Sequence, residues 1–104
     1  MDKLKARLLV GLQAIEGVED RPSSVSGGSA LFYGDISFAH FHDDRELDLR
    51  LTKKVIKTLG LSHPAGSRHH PDRSPNSPWI EVRFNSAAEV DQLLKLIKLA
   101  VAEL

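Results

Sequence analysis

The chain has 104 residues, with 14 Lys+Arg against 14 Asp+Glu, five histidines and no cysteine. That length suits a single domain, 1–104, and 41% hydrophobic residues are enough for a core, which excludes a disordered chain. A formal charge of zero provides no global field toward nucleic acid or anionic membrane, and the lack of cysteine excludes disulfides, a thiolate nucleophile and Cys-type zinc sites.

The opening segment reads as a helix. Asp2 is a candidate cap, Leu4, Leu8, Leu12 and Ile15 recur at helical spacing, and Gly17 offers a left-handed stop. Arg21-Pro22-Ser23-Ser24 and Ser26-Gly27-Gly28-Ser29 then form a turn-rich connection, with a short strand expected at Val25. Residues 29–51 read as three antiparallel strands. Gly34-Asp35 is a two-residue hairpin signal between Ala30–Tyr33 and Ile36–His42, and the polar group Asp43-Asp44-Arg45-Glu46 is a second turn. Leu47-Asp48-Leu49-Arg50-Leu51 alternates strictly, apolar on one face and charged on the other. Thr52 caps a second helix that turns Val55, Ile56 and Leu59 inward and stops at Gly60.

Residues 61–78 hold four of the five prolines, three histidines and two arginines, the composition of a long functional loop. Trp79–Phe84 is a strand with Ile80, Val82 and Phe84 on one face, and Trp79 is placed to anchor the loop to the sheet edge. Ser86-Ala87-Ala88-Glu89 is a capping box opening the last helix, whose apolar stripe is Val90, Leu93, Leu94, Ile97, Val101 and Leu104. Leu96 and Leu99 widen that stripe beyond one packed face, which points to a homodimer. The fold class is α+β: an antiparallel sheet of about four or five strands with helices mainly on one face, in the order α-β-β-β-α-loop-β-α.

The histidines are the most chemical feature. All five (His40, His42, His63, His69, His70) lie between positions 40 and 70. His40 and His42 leave the same face of one strand, a spacing that suits two groups gripping one ligand. An unbroken register from the Gly34-Asp35 turn puts Leu31, Tyr33, Ile36, Phe38, His40 and His42 together on the inner face. A four-residue second turn then sets His42 opposite Leu47 and His40 opposite Leu49, and leaves Asp48 on the other face opposite Phe41. A grouping of His40, His42 and Asp48 therefore needs a bulge that shifts the register by one.

These residues lead to a small polar or anionic ligand as the expected partner. His40 and His42 hydrogen-bond it on the inner sheet face, His63 closes the pocket, and Trp79 lies at its edge. No catalytic residue, resident metal or cofactor is assigned. The enzyme alternative is a metal-assisted hydrolase with His40, His42 and His63 as ligands. The nucleic-acid alternative is a patch of Arg50, Lys53, Lys54, Lys57, Arg68 and Arg73 with Phe41, His69 and His70 for stacking; zero net charge disfavours it. The bland reading of His40 and His42 is of half-buried side chains satisfied by carbonyls or water. With no signal-peptide layout at Met1-Asp2-Lys3 and no apolar run near ~18–20 residues, the expected setting is cytoplasmic, with no membrane partner.

From Phe38-Ala39-His40-Phe41-His42, through Leu47–Leu51 and His63-Pro64, to Ser77-Pro78-Trp79-Ile80-Glu81-Val82-Arg83, the chain resembles the small bacterial and fungal proteins termed "luciferase domain". The resemblance runs from about Ser29 to Leu104 and implies the strand, helix and His-Pro order found here. Asp48 stands where many members carry a third histidine. No luciferin, flavin or adenylate site is recognisable, so the label implies no light emission. The order of elements is also similar to the bacterial double-wing proteins, a likeness of topology that carries no function.

Overall fold

The computed structural model describes residues 3–22, 28–61 and 77–104. Helix α1 (Lys3–Leu12) buries Leu8 and Leu12, with Leu4 and Ile15 packed against the same core. The chain leaves α1 through a turn ending at Gly17, whose φ is +86°. A Cβ there would lie 2.8 Å from the Tyr33 ring, so glycine is required on two counts. Asp2 and Val25 lie outside the described residues.

Among the described residues five antiparallel strands follow in an unbroken spatial order: β1 (Val18–Pro22), β2 (Ser29–Tyr33), β3 (Ile36–Asp43), β4 (Glu46–Arg50) and β5 (Trp79–Arg83). Strand β1 adds one strand to the expected order. Its sequence reads as connection because it ends in proline, but at an edge strand's last residue the missing N–H costs no ladder bond. Val18 turns into the core and Arg21 covers the Phe32 ring on the other side.

The Gly34-Asp35 hairpin forms as expected, with Tyr33 opposite Ile36 and Gly34 at φ +61°. Beyond it the unbroken register fails twice. Leu31 pairs with Ala39 while Phe32 pairs with Ser37, so Phe38 is an extra residue in β3. Phe41 pairs with Leu47 while Asp43 pairs with Glu46, so His42 is a second extra residue. The second turn is therefore the pair Asp44-Arg45, not four residues. Asp43 tightens it by accepting the Arg45 N–H at 2.7 Å.

The first bulge follows from the core. Without it, Ala39 and Phe41 would face away from the helices and two imidazoles would face them. With it, Phe38, Ala39 and Phe41 all enter the core, each at most 4% exposed. Burying one aromatic of this kind contributes about 1.5–3 kcal/mol, more than the loss of a ladder bond.

Helix α2 (Lys53–Thr58) is capped by Thr52, whose hydroxyl accepts the Val55 N–H at 3.1 Å. Val55 and Ile56 pack on the core, but Leu59 stays exposed because the helix ends before it. Helix α3 (Ala87–Ala102) opens on the expected capping box: Ser86 Oγ accepts from Glu89 N, and Glu89 Oε1 accepts from Asn85 N at 3.0 Å. Val90, Leu93, Ile97 and Ala100 face the core, whereas Leu104, expected on the stripe, is exposed. Helices α1 and α3 are also joined by Arg7 and Asp91. The architecture is α+β, with the helices on the face that carries Leu31, Ala39, Phe41, Leu47, Leu49 and Ile80. Among the described residues no helix is long and apolar enough to cross a membrane.

Candidate functional site

Strand parity assigns the other sheet face. Leu47 and Leu49 point at the helices, so Glu46 and Asp48 point away; Ile80 and Val82 likewise turn Glu81 and Arg83 outward. His40 pairs with Asp48, and Asp48 with Glu81, which draws a row Ala30–His40–Asp48–Glu81 across four strands. His40 and His42 do share a face, but it is the outer one. The expected inner-face pocket is thus corrected by the bulge at Phe38, and Asp48 joins the face from which the unbroken register had removed it.

The outer face is not an ordinary wet surface. Asp48 is 4% exposed and Glu81 1%, although like charges directly opposite each other on neighbouring strands are unfavourable. Each carboxylate takes part in a polar or electrostatic interaction. Trp79 is half-buried at the start of β5, held by its N–H donating to Ser77 Oγ at 3.1 Å. Its ring stacks on His40, with centroids 5.3 Å apart and planes at 21°. His40 Nδ1 is buried and has no hydrogen-bond partner among the described residues.

Beside this row is a polar knot. Glu46 accepts from Arg83 Nε at 2.7 Å and is 3.0 Å from His42 Nδ1. An ionised carboxylate can only accept, so Nδ1 of His42 carries the proton in this contact. Burial pushes the Glu46 carboxyl up, but the Arg83 and His42 hydrogen bonds and charges outweigh it and hold the group below its ordinary value.

Of the expected site residues, His40 and Trp79 are brought into contact, and His42 lies on their face but is engaged by Glu46. His63, with His69, His70, Arg68 and Arg73, lies outside the described residues, as does most of the expected long loop at 61–78. Among the described residues no three His, Asp or Glu side chains are grouped to hold a metal ion. Phe41, offered as a stacking residue for nucleic acid, is in the core beneath Lys5, whose Nζ is 4.4 Å from the ring centre. The lysines of α2 are exposed as expected. Glu46, Glu81 and Arg83 were missed. The signal was present: Leu47-Asp48-Leu49 and Ile80-Glu81-Val82 share one alternation, so pairing the two strands brings their acids together.

A meander sheet with helices on one face, and buried acids beside half-buried histidines and a tryptophan on the other, defines a small α+β domain. Residues 36–100 match the family described as Luciferase domain, and the chain belongs to that family. No curated protein and no solved structure matches it.

Proposed function

We propose that this member of the Luciferase domain family binds a small polar ligand on its outer sheet face. His40 would make the ligand's principal hydrogen bond and Trp79 would form one wall. The observation that carries this reading is the buried Nδ1 of His40, which lacks a hydrogen-bond partner among the described residues while its ring is stacked on Trp79. An imidazole fixed by an aromatic wall has already lost its rotamer freedom, so a ligand that pairs with it gains the hydrogen bond at little ordering cost. The register also changes the expected chemistry. With Asp48 opposite His40 in place of Leu49, a ligand that brings a hydrogen-bond donor fits better than a bare anion.

Trp79 is the single tryptophan, so its fluorescence reports on the site directly. The test is to titrate agmatine, which carries guanidinium and ammonium donors, and separately inorganic phosphate, into the tag-free protein and into His40→Gln. A saturable response to agmatine that His40→Gln removes supports the reading. Binding of phosphate that strengthens as pH falls would replace it with an anion site, and stoichiometric zinc in the purified protein would replace it with a metal site. If the double change of His40 and His42 to Ala lowers stability yet leaves every titration unaltered, the two are structural histidines and the site is lost.

A further inference from the structure

The exposed apolar residues left by the fold are not evenly spread. Leu59 and Leu99, 47% and 42% exposed, meet across a groove of about 300 Å³ lined by Lys54, Val55, Thr58, Leu59, Leu99 and Glu103. The α3 stripe through Leu99 reads Lys95, Leu99 and, at the C-cap, Glu103, each four residues from the next and all exposed. Neither Lys95 nor Glu103 has an ion-pair partner among the described residues.

We propose that α3 is the seam of a homodimer, with a two-fold axis passing beside Leu99 and the two α3 helices antiparallel. The sequence of the stripe supplies the argument. In an antiparallel pair related by such an axis, a residue four positions before Leu99 faces the residue four positions after it on the other copy. Lys95 therefore meets Glu103 of the partner subunit, and the same contact repeats on the other side of the axis. Leu99 packs on its own symmetry mate between the two ion pairs. Four residues rise about 6 Å along a helix, so each pair flanks the apolar centre at one turn's distance. This is self-complementarity of the kind an isologous interface requires: one stripe satisfies its own copy in charge and in apolar character. A groove occupied by an unrelated protein would not need a stripe that is its own complement. Leu59 and Val55 of α2 flank the seam and add apolar surface toward the roughly 800 Å² per partner of a stable association. Leu96 contributes inward instead, half-buried against the core, so Leu99 alone supplies the surplus that the helix periodicity indicated.

Sedimentation velocity and light scattering over about 1–100 µM, the range in which mass action populates a modest dimer, test the proposal. The wild-type chain is expected to be dimeric at the upper end. Lys95→Glu and Glu103→Lys each set two like-charge pairs in the seam and are expected to raise the dissociation constant about tenfold or more. Combining them reverses both partners and is expected to return the constant to within about threefold of wild type, because the pairs re-form. Leu99→Asp is expected to give a monomer with unchanged circular dichroism, since the side chain is exposed within its own chain. A wild-type chain that is monomeric throughout overturns the proposal. So does a dimer that the single changes leave intact, or one that the charge swap fails to restore.

Discussion

Replacing Glu46 by Gln tests the polar knot on the outer face. The substitution keeps the shape of the side chain and removes its charge. Glu46 is almost fully buried and receives Arg83 at 2.7 Å and His42 at 3.0 Å. A hydrogen bond to a charged group contributes about 1.5–3 kcal/mol when well shielded, and exposed ion pairs about 0–1 kcal/mol. The Arg83 side chain is 36% exposed, so its arm belongs near the lower range; that of His42 is 9% exposed and belongs near the upper. Gln retains one acceptor oxygen, so Glu46→Gln is expected to lose about 1–2 kcal/mol at neutral pH, or roughly 4–16 °C in Tm for a domain of this size. The pH dependence has a definite sign. The folded carboxyl lies below its ordinary value of 4.5, so its contribution is complete above that pH and is lost as pH falls through the lower folded value. Urea denaturation of both proteins should therefore show a full gap at pH 7 that closes progressively below 4.5. No gap at pH 7, or a gap that persists undiminished into strong acid, would refute the argument that the buried charge stabilises the fold through these partners.

Phe38→Ala removes a fully buried ring at the first bulge and is expected to cost about 3–5 kcal/mol by chemical denaturation; a loss under 1 kcal/mol would mean the site collapses around the cavity. Gly34→Ala and Gly17→Ala separate conformation from crowding. Gly34 has φ +61° and open space around its Cβ position, so alanine there is expected to cost only about 1–2 kcal/mol. Gly17→Ala should cost more, because Tyr33 lies 2.8 Å from the new methyl; equal costs in thermal melts would show that the ring moves aside freely.

Elements whose chemistry is local were legible in the sequence. Ser86 and Glu89 bond within one helical turn, Thr52 bonds to Val55, and Gly34 supplies the positive φ of a two-residue hairpin. The shared face of His40 and His42 follows from strand periodicity and survives both bulges, because neither inserted residue lies between them. Even the alternation of Leu47-Asp48-Leu49-Arg50-Leu51 was readable, since its three leucines must turn inward together. Strand β1 was hidden by its proline, whose position at a sheet edge is a fact of topology and not of local sequence.

Which face the histidines occupy was a tertiary decision. Side chains alternate along a strand with period two, so one inserted residue reverses everything beyond it. Nothing local marks Phe38 as that residue; in a strand reading Ile-Ser-Phe-Ala-His-Phe-His the aromatic positions fit either parity. The helices decide it. Packed against β3, they offer apolar surface that Phe41 and Ala39 can fill and two imidazoles cannot, and the bulge at Phe38 is what lets Phe38, Ala39 and Phe41 all be buried. The same shift sets His40 opposite Asp48, beside Glu81 and against Trp79. Local chemistry sets the helices, the Gly34-Asp35 turn and the shared face of the two histidines. The packing of the core, acting through one extra residue, determined what those histidines face.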